Sequence, residues 1–415
     1  MYIFKAGVVG AGFMGAEIAQ VVSFSGLPVV VKDVDQTMLD NAEAHIREIF
    51  QGRVDKGKMS QAELLDKMDL IEFTLDYADF EDVDIVIEAV PEVMRIKQAV
   101  FKELDAVCHE GAIFASNTSA LSIEEMGAVT SRPGKVVGMH FFSPAHVMKL
   151  VEVVRSPSSS EDSVQTVVQF AQDLRKIPVV VKECPGFLVN RLLAPYLGEA
   201  MQTLQEGAAP AEAIDEAMVE FGMPMGPFTL LDFMGLDVSL HAGVYMASQY
   251  GERFASPQIL QMLVDAGRLG EKSGAGFYGY EDQTDEPVKE MIAQIQASGI
   301  PVGEFSVERL VFPMINEAAR IAEEEIASIP DIDMAMIAGT GMSHDGERMG
   351  PLGIADEFGL DVVLAGLQRM EAEPWGGLRF RPANLLVAKV EAGELGKASG
   401  RGFHEYAEEM LDFLS

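Results

Sequence analysis

The chain has 415 residues, too many for one hydrophobic core, so two or three domains are expected. Apolar residues make up 48% of it and its formal net charge is −34 at pH 7, which excludes a disordered chain and excludes nucleic-acid binding through a general positive field. An anionic ligand must therefore be met by local donors. Cys108 and Cys184 lie far apart and lack metal-ligand spacing, so a reduced, cytoplasmic setting with no disulfide framework and no metal is expected. No run of eighteen or more apolar residues and no leader pattern occurs, so neither a membrane span nor a targeting peptide is expected.

Ile3 to Val9 reads as a buried strand, followed directly by "GAGFMG". Gly10, Gly12 and Gly15 form G-x-G-x-x-G. The apolar spacing of Ile18, Ala19 and Val22 predicts a helix that Gly26 ends, and Val29 to Val31 predicts a second strand leading to Asp33. Strand, glycines, helix, strand and acid in this order are the context of a dinucleotide site. Gly10 permits the turn, Gly12 lets backbone approach a pyrophosphate, and Gly15 lets helix and strand pack closely. Asp33 would accept a ribose 2′-hydroxyl and repel a 2′-phosphate, which favours NAD over NADP. Between His45 and Lys67, Arg47, Arg53, Lys56 and Lys58 form a basic island, read first as a solvated helix face.

The alternation continues with a strand over 84–89, a helix over 94–106 and a strand over 112–115 that ends in "SNTS". Alternating strands and helices predict a parallel, doubly wound sheet with ligands beyond the carboxyl ends of its strands. Asp33, Pro91-Glu92 and Asn117-Thr118-Ser119 all fall at that edge. Ser119 is alternatively a helix cap.

Residues 135–140 and 150–155 predict two strands joined by "FFSPAHVMK". Paired antiparallel about His146, they set His140 opposite Glu152. A carboxylate in an apolar strand is costly unless paired. The pair either holds the hairpin together or does chemistry, with the carboxylate fixing the imidazole tautomer. The nearby cofactor edge favours chemistry. "CPGFLVNRLL", from Cys184, reads as the exit from the first domain into a helix whose first turns carry Asn190.

Together, "GAGFMG", "SNTS", "MHFFSP", "KLVEVV", "CPGFLVNRLLAPY" and "MPMGPFTLLDFMGLD" resemble the L-3-hydroxyacyl-CoA dehydrogenases over nearly the whole chain. The resemblance is to the dehydrogenase part of bacterial multifunctional fatty-acid oxidation subunits, without their hydratase portion. It implies NAD as cofactor, an acyl-CoA substrate and a role in fatty-acid metabolism. His140 would be the general base, Glu152 its support, and Ser119 and Asn190 would position substrate oxygens. Gly10, Gly12, Phe13, Met14, Gly15, Asp33, Glu92, Lys97, Ser119, Ser143 and Lys272 match cofactor-contacting positions, and Lys56 matches a position near the CoA phosphates. Two positions depart from the pattern. Ser143 stands where the family commonly has asparagine, and Ile49 replaces a serine associated with CoA binding. A related dehydrogenase of a free hydroxy acid and a non-catalytic NAD-binding protein are the competing readings.

The second half repeats. "NRLLAPYLGEA" from Asn190 matches "ERLVFPMINEA" from Glu308 at a shift of 118. "MGPFTLLDFMGLD" from Met225 matches "MGPLGIADEFGLD" from Met349 at 124, and "GEKSGAGFYGY" from Gly270 matches "GKASGRGFHEY" from Gly396 at 126. Such a period indicates a duplicated domain rather than a solenoid. The expected fold is thus an α/β Rossmann-type dinucleotide-binding domain followed by a duplicated all-α C-terminal domain. Its parts are a NAD-binding domain over 1–183, a first helical copy over 184–282, and a degenerate, structural second copy over 283–415. That second copy is expected to take a partner's place, giving a monomer with an internal pseudo-dimer, against the alternative of a homodimer. A separate enoyl-CoA hydratase is the expected protein partner.

Overall fold

The computed structural model describes residues 2–406. Its packing divides the chain into two compact units, Met1–Phe187 and Leu188–Ser415. The first is built on one eight-stranded sheet: β1 (Ala6–Val9), β2 (Val29–Lys32), β3 (Ile71–Thr74), β4 (Ile85–Glu88), β5 (Ile113–Ser116), β6 (Val136–Phe141), β7 (Leu150–Arg155) and β8 (Ile177–Lys182). Their spatial order is β3-β2-β1-β4-β5-β6-β7-β8. Every neighbouring pair is parallel except β6 and β7.

β1, β2, β4 and β5 are short and buried throughout, so they read as continuous apolar runs, as strands covered on both faces must. The covering helices are α1 (Phe13–Ser25), α2 (Gln36–Asp55), α3 (Gln61–Met68), α4 (Met94–Val107), α5 (Ile123–Gly127) and α6 (Glu161–Asp173). α1 ends at Gly26, whose φ of 100° is open to glycine at low cost. Polar side chains start most of the others, whereas α4 begins after Val93 with no side-chain cap: Asp35 caps α2, Ser60 and Glu63 form a capping box on α3, and Ser160 caps α6. Sequence reading leaves out the two edge strands. β3 is only partly buried, and β8 carries Pro178, which an edge strand tolerates.

The second unit is helical: α7 (Val189–Gln205), α8 (Ala211–Phe221), α9 (Pro227–Met234), α10 (Leu236–Tyr250), α11 (Gln258–Asp265), α12 (Glu286–Gln296), α13 (Val307–Glu323), α14 (Ile329–Thr340), α15 (Pro351–Phe358), α16 (Leu360–Ala372) and α17 (Asn384–Glu391). The series α7–α11 recurs as α13–α17, down to a proline inside α7 (Pro195) and α13 (Pro313). The same polar braces recur too. Asp215 accepts from the Phe228 and Thr229 amides, as Asp333 does from Leu352 and Gly353. Asp232 accepts from Phe277, Tyr278 and the Tyr280 hydroxyl, as Asp356 does from Phe403, His404 and Tyr406.

The two copies meet through a reciprocal ion network. Arg191 of α7 donates to Glu317 at 2.8 Å and to Glu324 at 2.7 Å. Arg309 of α13 donates to Glu199 at 2.7 Å and to Glu206 at 2.9 Å. Each arginine and each glutamate has its counterpart 118 positions on. Arg253 adds to Glu317 as Arg379 adds to Glu199. Residue i meets j while j's counterpart meets i's, the signature of a two-fold interface written into one chain. Among the described residues, no helix is long and apolar enough to cross a membrane.

Candidate active site

The first unit gathers its polar side chains at the carboxyl edge of the sheet. β1 runs straight into the glycine turn and α1. Gly10 has φ 101°, and a Cβ there would stand 2.6 Å from the Ala89 carbonyl oxygen. A Cβ on Gly15 would strike the Gly10 carbonyl oxygen, so both positions demand glycine for opposite halves of the same turn. At Gly12, a Cβ would meet nothing within 4 Å. That open approach, next to the unsatisfied amides of the α1 N-terminus, suits a pyrophosphate. Phe13 is exposed beside it. Asp33, just after β2, accepts the Ala11 amide at 2.7 Å and the Val34 amide at 2.6 Å. The acid therefore braces the glycine loop, and each of its oxygens retains a lone pair for a ribose hydroxyl. These residues fit a dinucleotide.

Next along the edge is a charge cluster, buried at Lys97 and Glu88 and opening to solvent at Glu92. Lys97 of α4 is 1% exposed and donates to Glu88, the last residue of β4, at 2.8 Å, and lies 3.1 Å from Glu92. Glu88 also accepts from the Ser116 hydroxyl at 2.6 Å and from the Val90 amide at 2.7 Å. Burial pushes its carboxyl up, against Lys97 and these donors. For Glu92, burial alone would do the same. Lys97, the Thr118 hydroxyl and the Ser119 amide outweigh it and hold this carboxyl below the usual range. The network thus ties the β4 and β5 ends together and fixes the turn carrying Ser119. Ser122, not Ser119, caps α5, so the capping alternative for Ser119 does not hold. Glu88 escaped sequence reading. Its signal was an acid ending the apolar run "IVIE" at the ligand edge.

β6 and β7 pair in the register expected, with His140 opposite Glu152. His140 Nδ1 donates to Glu152 Oε2 at 2.7 Å, and the glutamate is fully buried. The bond leaves Nε2 as the nitrogen able to take a proton. Phe142 and Phe187 wall the ring at 4.6 and 6.0 Å between centroids. The Phe141 amide, at the end of β6, donates to Asn117 at 2.8 Å, which locks the strand end to the "SNTS" turn. Ser143 is exposed in the loop that follows.

In the basic island, Arg47 pairs with Glu43 and Arg53 lies over the Phe24 ring at 4.4 Å. Lys56, at the end of α2, and Lys58 are exposed. The remaining candidates belong to the second unit. Asn190 is exposed on the first turn of α7, and Lys272 pairs with Asp237 at 2.5 Å. Lys397 pairs with Glu357 at 2.9 Å in the second copy.

Comparison with known proteins agrees with this geometry. Residues 5–184 match the family described as 3-hydroxyacyl-CoA dehydrogenase, NAD binding domain. Residues 186–280 and again 305–406 match 3-hydroxyacyl-CoA dehydrogenase, C-terminal domain. A "Fatty acid oxidation complex subunit alpha" of Psychrobacter arcticus is 40% identical over 374 residues, 87% of this chain and 52% of that protein. The chain thus spans about half the length of the curated relatives it matches. Among solved structures, the 3-hydroxybutyryl-CoA dehydrogenase of Escherichia coli K12 superposes with a TM-score of 0.84 at 28% identity, covering 95% of this chain and all of that one. The (S)-3-hydroxybutyryl-CoA dehydrogenase PaaH1 of Ralstonia eutropha is 37% identical with a TM-score of 0.66, and all of it covers 68% of this chain. With both domain models matched in order, the second of them twice, the chain belongs to the 3-hydroxyacyl-CoA dehydrogenase family of NAD-dependent oxidoreductases.

Proposed function

We propose that this chain interconverts (S)-3-hydroxyacyl-CoA and 3-ketoacyl-CoA, with His140 as general base. The observation carrying this is the buried His140–Glu152 bond of 2.7 Å at the carboxyl edge of a NAD-binding sheet. NAD, when bound, accepts the hydride from C3. In the oxidation, His140 Nε2 takes the hydroxyl proton, the C3–H pair departs as hydride, and the C3–O bond becomes a carbonyl. Glu152 keeps Nδ1 protonated and offsets the charge the imidazole gains. Gly10, Gly12, Phe13, Met14, Gly15 and Asp33 would hold the dinucleotide, along with Glu92, Lys97, Ser143 and Lys272. Ser119 and Asn190 would bind the substrate's oxygens, and Lys56 its CoA phosphates. His140→Ala is expected to lower kcat for acetoacetyl-CoA reduction by roughly 10²–10⁴ while NADH binding stays near wild type. Near-normal turnover would overturn the assignment.

The domain division 1–183, 184–282 and 283–415 is part of the proposal, with the second helical copy serving as a tethered partner. The reciprocal Arg191/Glu317 and Arg309/Glu199 contacts support this. The chain should then sediment as a monomer, and an obligate dimer joined through α7 would refute it. Hydration of a 2-enoyl-CoA yields the substrate, so an enoyl-CoA hydratase is the proposed supplier. The complex named for the relatives supports that pairing. A cytoplasmic location belongs to the same reading, supported by both cysteines being thiols.

A further inference from the structure

Glu17 is an acid in an unfavourable place. It is the fifth residue of α1, two positions after Gly15, and only 1% exposed. A buried carboxylate is retained only where specific partners hold it. Its Oε2 accepts the Ala145 amide. Around Oε1 stand the imidazoles of His146 (Nδ1, 3.1 Å) and His45 (Nε2, 3.5 Å), neither aligned as a hydrogen bond. At the other backbone group of the same residue, the buried Lys176 donates to the Ala145 carbonyl, and to that of Met148 at 2.7 Å. Ala145 is 1% exposed, so its backbone groups are out of reach of bulk water.

The gripped segment is the β6–β7 loop, residues 142–149. It starts with Phe142, whose ring lies 4.6 Å from that of His140, and with Ser143. Nothing about the hairpin register requires two opposite charges on the backbone of one residue, since β6 and β7 are already paired up to Phe141. Charge-assisted bonds from both sides do something the register does not. They hold an irregular loop rigidly against the imidazole, and they anchor it to the helix that begins at the glycine turn.

We propose that Glu17 and Lys176 are a positioning pair: they clamp the backbone on both sides of Ala145 so that Phe142 and Ser143 are held in place beside His140. This rests on the dehydrogenase reading above. The clamp acts mainly on kcat, through the ring of Phe142 against His140, and only secondarily on cofactor affinity, through Ser143, because neither Glu17 nor Lys176 itself stands among the groups placed around the dinucleotide.

The test uses the full chain with Glu17→Ala, Glu17→Gln and Lys176→Met. Hydrogen exchange over residues 142–149 reads the clamp without reference to activity, and initial rates of acetoacetyl-CoA reduction with separate NADH titration read its consequence. Glu17→Ala and Lys176→Met should speed exchange in the loop and lower kcat roughly 10- to 100-fold, with NADH affinity changed less than about threefold. Glu17→Gln, which keeps an acceptor for the Ala145 amide, should recover most of kcat. If Glu17→Ala fails to fold, Lys176→Met carries the test from the carbonyl side. Faster exchange with unchanged kcat would reduce the pair to a structural brace and overturn the proposal. Unchanged exchange in both variants would remove the clamp itself. A wild-type chain inactive on every 3-ketoacyl-CoA offered would sink the functional reading instead, a result separable from either of these.

Discussion

Arg309→Met tests how the two helical copies hold together. Arg309 is 1% exposed and is bonded to Glu199, to Glu206 and to the Glu304 carbonyl at 3.2 Å, and its guanidinium lies 4.1 Å from the Trp375 ring centroid. Methionine replaces the volume without the charge. Glu199 keeps Arg379 at 2.6 Å. Among the described residues, Glu206, 1% exposed, keeps only the Gly303 amide at 3.0 Å and the Gln202 side-chain amide at 2.8 Å. An uncompensated buried charge of this kind costs about 3–5 kcal/mol. For a unit of this size, each kcal/mol moves Tm by about 2–4 °C, so a fall on the order of 10 °C is expected. Melting followed by circular dichroism at pH 7 reads it. Adding Glu206→Gln should restore much of the loss by removing the stranded charge. The mirror variant, Arg191→Met, should cost less, because Glu324 is 44% exposed and Glu317 keeps Arg253. A Tm within about 2 °C of wild type for Arg309→Met, or a double variant no better than the single, would refute the reasoning.

Three further outcomes follow from the same geometry. Asp33→Ser should cut the NAD-to-NADP ratio of kcat/KM by about tenfold or more, since it removes both the repulsion of a 2′-phosphate and the brace on the Ala11 amide; an unchanged ratio would remove Asp33 from cofactor choice. Burial lowers Lys176 from 10.5 to about 8, so between those values the unfolded chain binds more protons. Wild-type stability should therefore rise from pH 8 to 10.5 relative to Lys176→Met, as denaturant titrations at both ends would show. His404 is held above its ordinary 6.5 by the hydrogen bond to Asp333 at 2.7 Å, so its contribution is complete below that value and is lost as pH rises through the raised one. His404→Tyr, which copies Tyr278 of the first repeat, should abolish that pH dependence. A difference from wild type that is constant from pH 5 to 9 would contradict it.

Several features could be read along the chain because local rules dictate them. The strand–glycine–helix start, the acid after β2 and the alternating run to β5 follow from backbone freedom at glycine and from burial on both sheet faces. The His140–Glu152 register was legible because strand side chains alternate with a period of two, so placing the turn at His146 decides which residues oppose. The repeat was legible from its motifs, whose spacing survives in every helix pair from α7/α13 to α11/α17.

Other features required the tertiary structure. Glu88 serves the site by joining Lys97 to Ser116, nine and twenty-eight positions away. Glu17 meets Ala145 across 128 positions, and Arg191 meets Glu317 across 126. In sequence these are charged residues on ordinary helices and strands, with no period or spacing that names their partners. Propensity and hydrophobic pattern act within a few residues, so the chain by itself determined the buried strands of the sheet, though not the edge strands β3 and β8, together with its duplication and the one pair that a hairpin brings face to face. Which buried charges neutralise one another depends on long-range packing, where desolvation makes each unpaired group costly, and only the folded structure decided that.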